Sequence, residues 1–183
     1  MTDTPDSLFH RLAAQGSDKL PPVHLWHPSQ TKDIGMRITR DGTWWYQGSP
    51  IQRPRLVRLF SRVLRREGPE YFLVTPVEKV RVEVEVAPLL AVRMEIRNPG
   101  PGVEIAFETN VGDIVVLGPG HPIVMRGTVE APLPVVLVRD GIEALIARSV
   151  YYELVDQGEI VSRDGRETLL VRSGGASFEL GAL

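Results

Sequence analysis

Glycine and proline set the strongest limit on what this chain can fold into, because they interrupt it every few residues. The 183 residues include 17 glycines and 15 prolines. Long helices do not pass through such interruptions, whereas short strands joined by tight turns do. Hydrophobic residues make up 43% of the chain, which is enough for a packed core at this length. The sequence therefore predicts an α+β fold that is rich in short strands.

The charge balance and the absence of cysteine exclude several functional classes. The chain has 21 basic and 23 acidic residues, and this formal net charge of −2 argues against a surface for bulk nucleic acid. Without cysteine there is no disulfide, thiolate metal site or cysteine nucleophile. No apolar run approaches the ~20 residues of a membrane span, and the acidic first residues show no signal peptide. We expect a cytoplasmic protein that does not associate with membranes.

Hydrophobic patterns divide the chain into an N-terminal segment and two β-rich halves. Residues 1–32 predict one short helix at 5–14 followed by a linker. Alternating apolar residues at 34–39 predict a strand, and Asp41-Gly42 predicts a type I′ hairpin turn into a return strand at 44–46. Two prolines and two glycines within 98–102 predict a domain boundary. The predicted domains are therefore residues 33–98 and 99–183.

A sequence repeat suggests that the two halves arose by internal duplication. Arg40-Asp41-Gly42 in the first half matches Arg139-Asp140-Gly141 in the second. Each triplet leads through a strand to an arginine, Arg53 or Arg148, at the start of a predicted helix. Two β-rich halves with one main helix each would leave a cleft between them, and such a cleft is the default position for a ligand.

The predicted helix at 54–67 carries a face rich in arginine. Leu56 and Phe60 give it a buried stripe, and Pro54 suits its first position. Arginines at three- and four-residue steps share the opposite face: Arg55, Arg58, Arg62, Arg65 and Arg66. This face is either a solvated surface, in a chain with 18 arginines and 3 lysines, or a docking surface for an anion or a partner protein.

Two positions in each half suggest contacts to an anionic ligand. An anion beside Arg53 or Arg148 would also meet the free N–H groups of a helix N-terminus, although an ion pair between the halves explains these arginines equally well. Lys79 is a rare lysine in this chain, and it adjoins Glu78 after a buried strand. The remaining predicted contacts lie in a polar turn that is also ordinary turn chemistry: Asn110 and Asp113.

Aromatic residues offer one stacking surface, and catalytic motifs are missing. Because side chains alternate along a strand, one of Trp44 and Trp45 faces the core, and we choose Trp45 as the stacking face for a base. The chain has neither a Walker A nor a GxGxxG pattern, and neither a GxSxG elbow nor an HExxH motif. His24 and His27 lie in the linker and have too few partners for a metal site. We expect no catalytic residue, no metal and no cofactor.

Eight short motifs, taken in order, are similar to a known family. They are DIGMRI at 33–38, DGTW at 41–44, GSPI at 48–51, LVRLF at 56–60, LVTPVEK at 73–79, TNVGD at 109–113, GIEA at 141–144 and YYELV at 151–155. The chain resembles the proteobacterial family DUF1285 over about residues 24 to 180. The resemblance implies a duplicated two-domain fold whose C-terminal half is loosely similar to pleckstrin-homology domains. It also implies a nucleotide-like ligand at the domain interface and a role in signalling.

The leading functional hypothesis is a ligand-binding protein that holds a small anionic molecule of nucleotide type between its halves, with a role in signal transduction. The first alternative is a protein-interaction adaptor that uses the arginine face of residues 54–67. The second is an enzyme that acts on a phosphorylated metabolite. The sequence leaves the ligand, the partner and the oligomeric state open.

Overall fold

The computed structural model describes residues 4, 7, 10 and 20–182, except 99, 101, 129 and 164. The chain divides between Pro88 and Leu89 into two compact units, and Asp140–Ile142 belong with the first. This division lies ten residues before the predicted boundary at 98–102, because Leu89–Arg97 is a strand that pairs with strands of the second unit. The predicted helix at 5–14 lies outside the described residues, apart from Ser7 and His10.

The first unit is a six-stranded sheet with one helix. Its strand order is β3-β2-β1-β6-β5-β4, with β1 and β6 parallel at the centre. A short 3₁₀ turn at Val23–Leu25 precedes it. The elements are β1 (Gln30–Ile38), β2 (Trp44–Tyr46), β3 (Ser49–Pro50), α1 (Pro54–Arg62), β4 (Leu64–Glu67), β5 (Glu70–Val74) and β6 (Glu78–Val84).

The helix α1 lies against one face of this sheet and closes the core. Leu56 and Phe60 are buried, and the Phe60 ring centroid lies 6.0 Å from that of Trp44. Each such side chain contributes roughly 1.5–3 kcal/mol when it is fully buried. The alternation predicted at Trp44-Trp45 is confirmed, since Trp44 is buried and Trp45 is only partly so.

The helix predicted at 54–67 ends five residues early. It stops at Arg62, and Leu64–Glu67 forms β4, whose Leu64 pairs with Leu73 of β5. Taken alone, the hydrophobic pattern of residues 63–67 fits either a helix or a strand. Pairing with the edge of β5 favours the strand. Arg65 and Arg66 therefore lie on a strand, and the predicted arginine face loses its last two members.

The turn at Asp41-Gly42 is not the predicted type I′ turn. Only Gly42 has positive φ, at 80°, because the Asp41 carboxylate accepts hydrogen bonds from the Thr39 hydroxyl (2.6 Å) and the Thr43 N–H (3.1 Å). These bonds make an Asx turn within a longer loop. The second triplet does have positive φ at both central residues, 39° at Asp140 and 75° at Gly141.

The second unit contains a six-stranded sheet, a three-stranded sheet and one helix. The larger sheet has the order β10-β11-β12-β7-β8-β9, and the smaller has the order β13-β14-β15. Its elements are β7 (Leu89–Arg97), β8 (Glu104–Thr109), β9 (Ile114–Val116), β10 (Ile123–Gly127), β11 (Pro132–Arg139), β12 (Ile142–Ile146), α2 (Arg148–Asp156), β13 (Glu159–Arg163), β14 (Arg166–Ser173) and β15 (Ala176–Ala182).

The two large sheets have the same topology, which is consistent with two related halves. Each consists of two three-stranded meanders, and the first and last of the six strands pair in parallel. The Arg-Asp-Gly triplets do not occupy equivalent places, since one follows β1 and the other follows β11. α1 separates the two meanders of the first sheet, whereas α2 follows the second sheet. The likeness of the second half to pleckstrin-homology domains stays a prediction.

Hydrogen bonds from one serine tie the two sheets of the second unit together. The buried Ser173 hydroxyl at the end of β14 donates to the Leu117 carbonyl (2.7 Å) and accepts the Ile105 N–H (2.9 Å). Next to it, the Gly174 N–H donates to the Val103 carbonyl at 3.0 Å. Across the described residues, no helix is long and apolar enough to cross a membrane.

Candidate functional site

A cavity of about 550 Å³ lies within the first unit, on the face of β1, β2, β5 and β6 that carries Trp45. Trp45 is the predicted stacking residue, and it lines this cavity. Around it are two guanidinium groups, three carboxylates and a second aromatic ring: Arg37, Arg81, Asp33, Glu70, Glu83 and Tyr71. The volume is typical of a small-molecule site, for which roughly 300–1,000 Å³ is usual.

Strand pairing explains why three of these residues, Arg37, Trp45 and Glu83, share one face. Arg37 of β1 pairs with Trp45 of β2 on one side and with Glu83 of β6 on the other. Side chains at paired positions of neighbouring strands lie beside each other on the same face of a sheet. The aromatic surface and the charged groups are thus placed by the register of the sheet, which is a rigid support.

The Trp45 ring is held in place by its indole nitrogen. Nε1 donates to the Thr39 hydroxyl at 3.3 Å, and that hydroxyl donates in turn to the Asp41 carboxylate. The hydrogen bond from Thr39 is also the main reason that the pKa of Asp41 lies below its usual value. The stacking surface of Trp45 is therefore oriented through a short polar chain that begins in the β1–β2 loop.

Both guanidinium groups of the cavity are paired with carboxylates and remain accessible. Arg37 bonds Glu85, and Arg81 bonds Glu70. The Arg37 and Arg81 side chains are 47% and 49% exposed. Exposed ion pairs of this kind are weak, at about 0–1 kcal/mol, so a bound anion competes for the guanidinium groups at little cost. The face can offer cations to an anion and carboxylates to hydroxyl groups.

Glu78 and Lys79, the adjacent pair predicted as ligand contacts, do not line this cavity. Glu78 is buried and forms an ion pair with Lys32 at 2.6 Å. Lys79 lies on the face of β6 that also carries Arg81, and its ammonium bonds Glu67 and lies 4.3 Å from the centroid of the Phe72 ring. In this structure both side chains are engaged within the first unit.

Arg65 has a role that the sequence did not reveal. Its guanidinium bonds the Glu67 carboxylate and donates to the backbone carbonyls of Val23 (2.8 Å) and Trp26 (2.6 Å). The pKa of Glu67 is lowered, first by the hydrogen bond from Lys79 and then by Arg65. Arg65 thereby attaches the segment before β1 to β4. The sequence predicted Arg65 on the exposed face of a helix, and that prediction gave no sign of these hydrogen bonds, which form because Arg65 lies on β4.

Arg53 lies at the N-cap of α1, between a strand and a helix as the sequence predicted, and it is exposed. Its side chain makes no capping hydrogen bond. Behind it, Arg55 and Arg58 are exposed and Arg62 is partly buried. With Arg65 turned toward Val23, the continuous arginine face that the adaptor hypothesis needs is reduced to three helical residues.

The predicted residues of the second unit have local partners. The Asn110 side chain accepts the Leu90 N–H at 3.0 Å, and Asp113 forms an ion pair with Arg139 at 2.6 Å. Both lie in the turn between β8 and β9, and these contacts link that turn to β7 and β11. Arg148 is the first residue of α2, with its Nε 2.9 Å from the Tyr152 hydroxyl. Across the described residues, no group of three His, Asp or Glu side chains could hold a metal ion.

Comparison with known proteins identifies one family. Its two models, described as domains of unknown function (DUF1285), match residues 21–87 with the N-terminal domain and 88–180 with the C-terminal domain. A crystal structure of a DUF1285 family protein from Silicibacter pomeroyi is 43% identical, with a TM-score of 0.88 over 100% of this chain and 97% of the other. A second, from Shewanella baltica, is 31% identical, with a TM-score of 0.53 over 67% of this chain and 91% of the other. No curated protein matches the chain. With both domain models covering most of its length, the chain belongs to the DUF1285 family.

Proposed function

We propose that this protein is a ligand-binding module for a small molecule of nucleotide type, and that the ligand binds in the cavity of the first unit. The observation that carries this proposal is the position of Trp45 in that cavity, beside Arg37 of the neighbouring strand. A flat aromatic ring stacks on an indole, and such stacking contributes about 1–3 kcal/mol per base.

The charges of the cavity favour a ligand that combines an anionic group with hydroxyl groups. Arg81 presents a planar guanidinium, whose N–H groups match the oxygens of a phosphate. Asp33, Glu70 and Glu83 supply acceptors for sugar hydroxyls. A purely anionic ligand would meet three carboxylates beside two guanidinium groups, whereas a nucleotide makes use of both kinds of group.

The sequence pattern predicted a ligand between the two halves, with Arg53, Lys79 and Arg148 among its contacts. That placement stays a prediction. We base the proposal on the first unit because its cavity brings aromatic, cationic and anionic side chains together on one sheet face. A role in signal transduction follows only if the ligand is a regulatory nucleotide.

The test measures thermal shifts and tryptophan fluorescence with mono-, di- and cyclic nucleotides and with inorganic phosphate. At about 100 times Kd, binding to the folded state adds roughly 2.7 kcal/mol, which raises the Tm by roughly 5–10 °C at this size. Quenching by the nucleotide should disappear in Trp45→Phe, which keeps Trp26 and Trp44 as internal references.

A matched pair of arginine variants checks the anionic contact. Arg81→Gln should weaken nucleotide binding at least about tenfold, as expected for loss of a charge-assisted hydrogen bond, and should leave nucleoside binding unchanged. Arg93→Gln is the control, because Arg93 is also an exposed arginine paired across strands, with Glu108, and lies outside the cavity. No shift with any nucleotide up to millimolar concentration, or equal shifts in wild type and Trp45→Phe, would refute the proposal.

A further inference from the structure

A second cavity, of about 430 Å³, lies wholly within the second unit. It is bounded by the end of β10, the helix α2 and the strands β14 and β15. Its wall is mostly aliphatic: Met125, Pro132, Val155, Leu169 and Leu180. A concave, largely apolar surface of this size with a few polar groups is the usual form of a small-molecule site.

The local backbone leaves this space without side chains to fill it. Leu169 of β14 is paired with Gly181 of β15, next to an irregularity in their register. A Cβ atom added at Gly181 would meet nothing within 4 Å. On the other side, Gly127 and Thr128 form part of the wall. Leu169 and Val155 thus remain partly exposed to water, and covering them with a ligand is favourable by about 25 cal/mol for each Å² of apolar surface.

One aromatic hydroxyl and one cation supply the polar groups of the wall. Tyr151 of α2 is partly buried, and its hydroxyl lies 3.4 Å from the Leu180 carbonyl, which makes a long hydrogen bond. Burial raises the pKa of Tyr151, so its hydroxyl stays neutral at physiological pH. Among the described residues that line the cavity, Arg126 is the charged one.

The guanidinium of Arg126 is fixed by a buried carboxylate. Its Nη2 donates to Glu143 Oε1 at 2.7 Å, and the side chains are 37% and 10% exposed respectively. Arg126 lines the cavity, whereas Glu143 does not. A guanidinium has five N–H donors, and a second carboxylate can use those that Glu143 does not.

We propose that this cavity binds an aliphatic monocarboxylate, whose chain lies against Val155, Leu169 and Leu180 and whose carboxylate meets Arg126. The aliphatic wall selects the chain, since Tyr151 is the sole aromatic residue among the described lining residues. The single cation selects one negative group. This inference is independent of the nucleotide proposal, because it rests on other residues in the other unit.

The probe is decanoate, compared with decanol, which has the same chain and no charge. Titration calorimetry of the full chain should show saturable decanoate binding with a negative heat-capacity change, the mark of apolar burial. Decanol should bind roughly tenfold more weakly or worse, as loss of a charged hydrogen bond predicts. Amide chemical shifts should move at Met125, Val155 and Leu169. Tryptophan fluorescence should stay constant, because all three tryptophans lie at or before residue 45.

Two test variants, each with a matched control, locate the site. Val155→Phe should narrow the cavity and weaken decanoate binding at least about tenfold, while Glu153→Phe, on the same helix at an exposed position outside the wall, should leave it unchanged. For the charge, Arg126→Gln is combined with Glu143→Gln so that no buried carboxylate loses its partner. The double variant should bind decanoate no better than decanol, whereas Arg172→Gln, at an exposed arginine of β14 outside the wall, should retain the preference.

The proposal is overturned by any of three results with folded protein. The first is no heat and no chemical-shift change with decanoate up to millimolar concentration. The second is binding that Val155→Phe leaves intact. The third is an unchanged preference for decanoate over decanol in the double variant. Nucleotide binding is detected at Trp45, whereas decanoate binding is detected by heat and by amide shifts in the second unit. Either proposal can therefore fail while the other holds.

Discussion

The hydroxyl of Ser173 offers the most direct test of how the second unit is held together. Its oxygen bridges β8 and the residue after β9, donating to the Leu117 carbonyl at 2.7 Å and accepting the Ile105 N–H at 2.9 Å. The side chain is 1% exposed, so water cannot take its place without opening the structure. Ser173→Ala removes one oxygen and leaves two buried backbone groups without this partner.

The cost follows from those two groups. A buried donor or acceptor left unsatisfied costs about 1–3 kcal/mol, and the methyl group of alanine creates almost no cavity. We therefore expect Ser173→Ala to lower the free energy of unfolding by about 2–4 kcal/mol, which is a large fraction of the roughly 5–15 kcal/mol of an ordinary domain. Ser177→Ala is the control, since Ser177 is exposed on β15, and should change stability by less than about 0.5 kcal/mol.

Urea unfolding followed by far-ultraviolet circular dichroism is the assay, because both units contribute strands to that signal. Tryptophan fluorescence, recorded on the same samples, reports the first unit alone, since Trp26, Trp44 and Trp45 all precede Pro88. The midpoint of the dichroism transition should fall in Ser173→Ala with little change in slope. If Ser173→Ala and Ser177→Ala have the same midpoint, the bridge contributes nothing and our interpretation of this junction is wrong.

Two further predictions concern strain and charge. Gly127→Ala should destabilise the protein by about 2–4 kcal/mol, because φ is +80° and an added Cβ would lie 2.3 Å from the Ala131 carbonyl oxygen. Gly165→Ala is the control and should cost only about 1 kcal/mol, since Gly165 has a φ of +76° but nothing lies within 4 Å of an added Cβ. Chemical denaturation measures both losses of stability, and equal losses would contradict the clash. The pKa of Glu67 is lowered by Lys79, so the stability that this carboxylate contributes is present above the ordinary glutamate pKa of 4.5 and is lost as the pH falls through the lower folded-state pKa. The Tm of Glu67→Gln should therefore vary less than the Tm of wild type between about pH 5 and pH 3. Parallel plots of Tm against pH for the two proteins would disprove this prediction.

Local patterns predicted the local structure well. The alternation at 34–39, the return strand at 44–46 and the start of α1 at Pro54 are all present. The buried face of α1 was also predicted, because Leu56 and Phe60 repeat at helical spacing and the sheet offers them a surface. These features depend on interactions within a few residues, which a single sequence displays directly.

Features that depend on strand partners were not accessible in the same way. From the sequence alone, β4 was predicted as the end of a helix, and β7 was predicted as part of the first half. Pairing of β4 with β5 and of β7 with β12 determines their actual places in the fold. The duplication was inferred from the matching Arg-Asp-Gly turns, which would align β1 with β11. The two large sheets are indeed alike, but their strand orders align β1 with β7. The pairing of β7 with β12 joins residues that are dozens of positions apart, such as Leu89 and Ala144, and it carries no local signature.

Lys79 shows that a sound observation about a residue type can have more than one physical cause. A lysine kept among 18 arginines suggested that a compact ammonium is needed there. The structure engages this ammonium within the fold, where it lies 4.3 Å from the Phe72 ring centroid while it bonds Glu67. An arginine makes the same kinds of contact nearby, since the Arg81 guanidinium lies 5.9 Å from the same ring centroid and bonds Glu70. Rarity of a residue type is therefore weak evidence for a ligand contact, and the contacts around the residue show how it is used. By the same standard a ligand-binding role for Trp45 stays a prediction, and its support is a ring that is held by Thr39 and lines a cavity.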